Sequence, residues 1–141
     1  MTTMTDSQIP AKTQYDSFAP VYLSVDDLPL SKVEASLVLT ALGDCTGLHI
    51  LDLGGGNGLH ARRAVSQANA ASVDVVDISR EMLRIGADIE LSKSTETTDT
   101  PSRIRWFEAD LSRSLSSQTI IALRSAIDVA WSKSQLAITM S

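Results

Sequence analysis

Short apolar runs alternate with segments of helical character along most of the chain. Four runs predict buried strands, because they are brief, rich in aliphatic or aromatic residues, and bounded by glycine or polar residues. They span residues 48–53, 72–79, 103–109 and 127–131. Helix-like segments separate these strands, and such alternation predicts βαβ units with right-handed crossovers. The predicted fold class is therefore α/β, with a parallel sheet of about four strands and helices on both faces.

Helix signals precede and separate the strands. Ser31 followed by Glu34 matches the S-x-x-E capping box, so we predict that a helix begins there and stops at Gly43. Ser79 is predicted to cap a later helix, in which Gly86 is a tolerated interruption. Further helices are predicted at residues 59–70 and 118–126, with a short helical lead-in and a turn at 12–29.

Composition limits the chain to one domain without a nucleic-acid or membrane partner. The chain has 141 residues and a net charge of -5, and it lacks the cluster of Lys and Arg that a phosphate backbone needs. No apolar stretch approaches the about 18 residues that cross a bilayer. The single cysteine, Cys45, cannot form an internal disulfide, so we expect a cytoplasmic protein. We predict a disordered N-terminus over residues 1–13, one domain over 14–131 and a C-terminal tail over 132–141.

A glycine-rich loop lies between the first predicted strand and the helix that follows it. After Asp52 and Leu53 come Gly54, Gly55, Gly56, Asn57 and Gly58. Glycine lets a chain turn sharply and lets a ligand approach the backbone, and the first amides of a helix favour an anionic group. A P-loop is excluded because Leu59 and His60 stand where Lys and Ser or Thr are needed. The dinucleotide pattern G-x-G-x-x-G also fails, because Leu59 stands where glycine or alanine is needed. The alternative to a ligand-binding loop is a tight strand-to-helix turn without a ligand.

The pattern that fits is D-x-G-x-G-x-G, through Asp52, Gly54, Gly56 and Gly58. This resembles motif I of the class I S-adenosylmethionine-dependent methyltransferases. The resemblance implies S-adenosylmethionine as the cofactor and a Rossmann-like, doubly wound sheet. It also implies that the chain corresponds to the N-terminal portion of that fold, with residues 14–131 as the cofactor-binding domain, because the chain stops after the fourth predicted strand.

Three later segments and the lead-in extend the resemblance. VVDISREML is similar to the second motif, in which Asp77 would take the ribose hydroxyls, and about twenty residues separate it from the loop, as a βαβ unit needs. FEADL resembles the third motif, in which Asp110 would contact the adenine amino group. DVAW, at 128–131, is similar to the fourth strand, and YDSFAPVY to a segment that lies over the cofactor in small-molecule methyltransferases. The implied cofactor site also includes Ile78, Met82, Leu111, Tyr15 and Tyr22.

Each of these residues also has a purely structural interpretation. Asp77 could cap the helix that begins near Ser79, and Asp110 could be a turn residue. Asp52 could hydrogen-bond loop amides rather than a ligand. Tyr15 and Tyr22 could simply pack as part of a lid.

The resemblance implies methyl transfer to a small-molecule acceptor, largely by holding donor and acceptor in line. It implies no particular catalytic residue, because the sulfonium is already a good leaving group. His60 could be a catalytic base, but a solvated position in the first helical turn explains it at least as well. Cys45 is isolated from other ligands, so no metal site is predicted. The family's acceptor site is shaped by segments beyond the fourth strand, so a partial or inactive form stays open. The alternatives are a non-catalytic cofactor-binding or partner-binding module, self-associating through its exposed fourth-strand edge, and a nucleotide-linked oxidoreductase.

Overall fold

The computed structural model describes residues 9–25, 28–94, 102–111 and 136–140. Helices and strands alternate from the first to the third described strand, as the pattern predicts. The elements are α1 Ala11–Val25, α2 Pro29–Leu42, β1 His49–Leu53, α3 Leu59–Gln67, β2 Ser72–Asp77, α4 Arg80–Ser94, β3 Ile104–Glu108 and β4 Leu136–Met140. None of the described helices is both long and apolar enough to cross a bilayer.

The four described strands form one parallel sheet in the order β3-β2-β1-β4. Ile50 of β1 lies opposite Val73 of β2, which in turn lies opposite Ile104 of β3. The α/β, Rossmann-like fold class is thereby confirmed. Because the strands are parallel, the segments that follow β1, β2 and β3 emerge at one edge of the sheet, where open α/β sheets bind their ligands.

Two predicted boundaries differ from the structure. Helix α1 begins at Ala11, inside the segment predicted to be disordered, and strand β4 lies inside the predicted 132–141 tail. Residues 132–141 show no decisive hydrophobic period, so the pattern predicts no strand there. A five-residue strand is too short to show a period, and pairing with β1 decides the outcome. The predicted fourth strand at 127–131 and the helix at 118–126 lie outside the described residues. Self-association through the fourth strand stays a prediction.

The main core lies on the face of the sheet that carries Ile50, Val73 and Val75. Helix α3 approaches that face closely because it presents the small side chains of Ala61 and Ala64, which are 1% and 2% exposed. This close approach fixes the start of α3 relative to the end of β1. The alternate positions of the strands form a second, smaller apolar cluster on the opposite face, which contains Leu51, Val76, Ala109, Leu53 and Phe107.

The helix ends only partly follow the predicted signals. Helix α2 starts at Pro29, and Leu28 at its N-cap makes no side-chain hydrogen bond. The prediction that a capping box starts this helix at Ser31 is therefore wrong. Proline at the first helical position has the required φ and lacks the amide that would need a cap, which explains the earlier start. The predicted stop at Gly43 is confirmed by its φ of 65° and by the hydrogen bond that its backbone amide donates to the Leu39 carbonyl oxygen. The Ser79 cap of α4 is confirmed, since the Met82 amide donates to Ser79 Oγ at 3.2 Å.

Candidate functional site

A cavity of about 480 Å³ opens at the carboxyl ends of β1, β2 and β3. Its walls come from the glycine loop, the segments after β2 and β3, helices α1, α2 and α4, and the start of α3. Ten of the thirteen residues predicted for a cofactor site line it. These are Tyr15, Gly54, Gly55, Gly56, Asn57, Asp77, Ile78, Met82, Asp110 and Leu111.

Asp52 lies beneath the glycine loop and does not line the cavity. Its side chain is buried, and a Cβ on Gly55 would come within 2.6 Å of Asp52 Oδ2 and 2.8 Å of Val75 Cγ1. Only glycine therefore allows the loop to cross so closely above β1 and β2. Asp52 is therefore separated from the cavity by the loop, and its predicted hydrogen bonds to loop amides stay a prediction.

Asp77 joins the end of β2 to the glycine loop. Its Oδ2 accepts a hydrogen bond from the Gly56 amide at 2.9 Å, and its Oδ1 accepts one from the Ser79 amide at 2.8 Å. The capping of α4 falls to Ser79, so Asp77 is not the helix cap. A carboxylate has about four lone-pair sites, and two backbone amides leave acceptor capacity toward the cavity that Asp77 lines.

The far side of the loop is fixed by Trp106 of β3. A Cβ on Gly58 would lie 2.4 Å from Trp106 Cη2, and one on Gly86 of α4 would lie 2.4 Å from that atom and 2.5 Å from the Asn57 carbonyl oxygen. Gly58 is also the N-cap of α3, with a φ of 74°. Gly86 is therefore not an interruption of α4. It makes room for the indole and for the loop backbone, and Gly58 is absent from the cavity wall because it packs on Trp106.

Polar contacts attach α1 to the cavity edge. Lys12 Nζ lies 3.2 Å from Asp16 Oδ2 and 3.1 Å from Glu108 Oε1, and it donates to the Ile78 carbonyl at 3.3 Å. Ser79 Oγ donates to Asp16 Oδ1 at 2.5 Å, and this hydrogen bond is the main reason that the pKa of Asp16 lies below its ordinary value. These contacts place Tyr15 on the cavity wall.

Sequence analysis did not assign a role to Lys12 or to Asp16, although Asp16 lies within the YDSFAPVY segment, because isolated charged residues in a polar helix are ordinary. The side chain of Tyr22 lies outside the described part of the structure, so its predicted role stays untested.

Helix α2 and the start of α3 add three polar residues that sequence analysis did not assign to a site. Ser31, Glu34 and His60 line the cavity. His60 is half-buried, and its Nδ1 is buried without a hydrogen-bond partner among the described residues. His60 is therefore only partly solvated. Helices α2 and α3 contact each other, and the sequence could not show that contact.

No group of three or more metal-binding side chains occurs in the ranges that the structure describes. Cys45 is buried, and burial raises the pKa of its thiol.

Comparison with solved structures identifies the fold. A methyltransferase in complex with the Trm112 activator of Haloferax volcanii aligns at 20% identity and a TM-score of 0.53, covering 69% of this chain and 39% of that one. DhpI, solved with SAM and HEP, aligns at 18% identity and a TM-score of 0.53, covering 84% and 57%. The [4+2]-cyclase SpnF aligns at 22% identity and a TM-score of 0.52, covering 70% and 41%.

The chain therefore has the fold of the class I S-adenosylmethionine-dependent methyltransferases and spans less than two thirds of these structures. No protein-family model and no curated sequence matches it.

Proposed function

We propose that this chain binds S-adenosylmethionine in the cavity and transfers its methyl group to a small molecule. The observation that carries the proposal is the convergence of the predicted motif residues. Side chains and backbone from the loop after β1, the end of β2, the start of α4 and the segment after β3 line one cavity. A tight turn without a ligand does not require these separate motifs to meet.

The residues present fit this cofactor. The cavity volume of about 480 Å³ falls within the usual range for small-molecule sites. Gly55 and Gly56 present bare backbone to it, and His60 and Ala61, in the first turn of α3, have amides without an intrahelical acceptor, which suits a carboxylate. Among the described lining residues there are three carboxylates and neither Lys nor Arg. Such a wall favours a cationic ligand, and S-adenosylmethionine supplies a sulfonium that activates its methyl group.

Each part of the wall has a distinct task in this proposal. Asp77 accepts hydrogen bonds from the ribose hydroxyls. Ile78, Met82 and Leu111 would contact the adenine, and Asp110 would contact its amino group. The chain's contribution to the reaction is then to hold the donor in place, exclude water and leave the acceptor a direct approach, which are positional effects worth up to about 7–11 kcal/mol in favourable cases.

Cofactor binding is tested by calorimetric titration with S-adenosylmethionine and S-adenosylhomocysteine. We expect both to bind, and we expect Asp77→Asn to weaken both by at least about tenfold, since it replaces an acceptor that holds the loop and the ribose. Asp88→Asn is the matched control, because Asp88 lies on the exposed face of α4, paired with Arg84. Absence of binding to the unmodified chain would remove the cofactor assignment.

Methyl transfer needs a separate test, because a fold does not fix its chemistry. One of the similar structures is named as a cyclase. We expect radiolabelled methyl groups to move from S-adenosylmethionine to at least one member of a broad panel of small-molecule amines, alcohols, thiols and acids. Binding without transfer to any of them would instead favour the non-catalytic module.

The proposal includes a cytoplasmic location, which the free thiol of Cys45 supports.

A further inference from the structure

We propose that Asp16 is a positioning residue, which holds helix α1 against the cavity so that Tyr15 stays in contact with the bound cofactor and slows its release. The inference rests on the proposed function, and it adds to that function a residue outside the cavity wall. It begins from the polar contacts between α1 and the start of α4.

Helix α1 uses two adjacent sides. Ala11 and Tyr15, which are four residues apart, line the cavity. Lys12 and Asp16, which follow them directly in sequence, contact the turn between β2 and α4 and the end of β3. Residues four apart in a helix lie on the same side. The contacts of Lys12 and Asp16 therefore determine that α1 turns Tyr15 toward the cavity.

Apolar burial contributes little to the docking of α1. Among the α1 residues whose side chains the structure describes, Ala19 alone is buried, whereas Phe18 and Val21 are 53% and 58% exposed. A single alanine removes only a small apolar area from water. The position of α1 therefore depends more on its polar contacts than on a shared core.

Asp16 makes the contact that joins α1 to the cavity wall. Its Oδ1 accepts hydrogen bonds from Ser79 Oγ at 2.5 Å and from the Glu81 amide at 3.3 Å, and a carboxylate at a helix N-terminus also interacts favourably with the helix dipole. Ser79 is fully buried, its amide donates to Asp77 Oδ1, and its Oγ accepts from the Met82 amide. Asp16 therefore binds the residue that also holds Asp77 and Met82, both of which line the cavity.

The test measures the association and dissociation rate constants of S-adenosylhomocysteine by surface plasmon resonance. Asp16→Asn should raise the dissociation rate constant by about fivefold and leave the association rate constant unchanged. This effect is smaller than is usual for a hydrogen bond to a charged group, because the Asp16 side chain is 33% exposed and asparagine keeps one acceptor oxygen. A variant that merely lost folded molecules would bind less ligand but would release it at the same rate.

A double-mutant cycle with Tyr15→Ala determines whether Asp16 acts through α1. Without the Tyr15 ring, docking of α1 adds little contact with the ligand. Asp16→Asn should therefore change the dissociation rate constant by less than about twofold in that background. Glu81→Gln is the matched control, since it removes a negative charge from the same end of α4, where the side chain pairs with Arg84, and keeps the amide that donates to Asp16. It should leave the dissociation rate constant unchanged.

The possible failures are distinct. If S-adenosylhomocysteine does not bind the unmodified chain, the proposed function is wrong and the role of Asp16 falls with it. If it binds, and Asp16→Asn leaves its release unchanged or accelerates it equally with and without Tyr15→Ala, the positioning role alone is wrong. An equal acceleration by Glu81→Gln would also contradict that role, because it would assign the effect to charge alone.

Discussion

Substituting Gly86 by alanine should destabilise the protein, although the same change within an ordinary helix stabilises it. Alanine is favoured over glycine by about 1 kcal/mol at a helix interior. At Gly86 the new Cβ would lie 2.4 Å from Trp106 Cη2 and 2.5 Å from the Asn57 carbonyl oxygen. Extra atoms in a tightly packed site cost about 1–3 kcal/mol, and the cost is at the higher end here because one neighbour is backbone.

The steric cost of the new Cβ exceeds the helix preference for alanine, so the free energy of unfolding should fall by about 1–2 kcal/mol. Urea denaturation followed by tryptophan fluorescence measures it. Because the Asn57 carbonyl belongs to the cavity loop, affinity for S-adenosylhomocysteine should fall as well. A variant more stable than the unmodified chain would refute the reasoning.

A double-mutant cycle with Trp106→Phe separates the two clashes. Phenylalanine lacks the distal indole atoms that the new Cβ of Gly86→Ala would meet, while the contact with the Asn57 oxygen remains. The cost of Gly86→Ala should therefore fall by about 1 kcal/mol in the Trp106→Phe background. Equal costs in both backgrounds would place the strain elsewhere.

Three further predictions concern contacts outside the loop. Arg105→Ala removes two hydrogen bonds, of 2.6 and 2.7 Å, to the Asp74 side chain, which is 8% exposed. The free energy of unfolding, measured by urea denaturation, should fall by about 1–3 kcal/mol. This is less than for a wholly buried pair, because the Arg105 side chain is half exposed. The Ser79 hydroxyl lowers the pKa of Asp16, so the stability that Asp16 contributes is complete above its ordinary value of 3.8 and disappears as pH falls through the lower folded value. Asp16→Asn should flatten the dependence of the urea midpoint on pH in that range, and an unchanged dependence would contradict the assignment. Ile138→Pro should destabilise the chain by about 1–3 kcal/mol if β4 pairs with β1 as observed, because proline has no amide hydrogen for the ladder, and an unaltered urea midpoint would argue against that pairing.

The part of the site that follows from sequence is the part built from local signals. The glycine loop lies directly between β1 and α3, and its glycines are required by the turn itself and by the close crossing over Asp52. Asp77 could be placed beside the loop because a βαβ unit brings the carboxyl ends of consecutive parallel strands together. Both inferences need only the order of elements along the chain.

The remaining part depends on how distant segments dock. Asp16 reaches Ser79 across 63 residues, and nothing near either residue indicates the contact. Glu34 matched a capping pattern, yet the helix starts earlier, at Pro29, and Glu34 lines the cavity. The C-terminal strand shows the same limit, because more than one short apolar run could have occupied the position beside β1, and only pairing distinguishes them.

The glycine loop and helix α1, which both border the cavity, are held by contacts of different strength. The loop wall is fixed by buried apolar packing on Trp106 and by the backbone amide that Gly56 donates to Asp77. Helix α1 is held by the ion pair of Lys12 with Glu108, whose side chains are 42% and 33% exposed, by the hydrogen bond from Ser79 Oγ to Asp16 and by burial of Ala19. Of these, the exposed ion pair contributes only about 0–1 kcal/mol. Breaking the Lys12–Glu108 ion pair alone should therefore leave the loop and the sheet folded, because neither residue contacts the glycine loop through a side chain in the described structure.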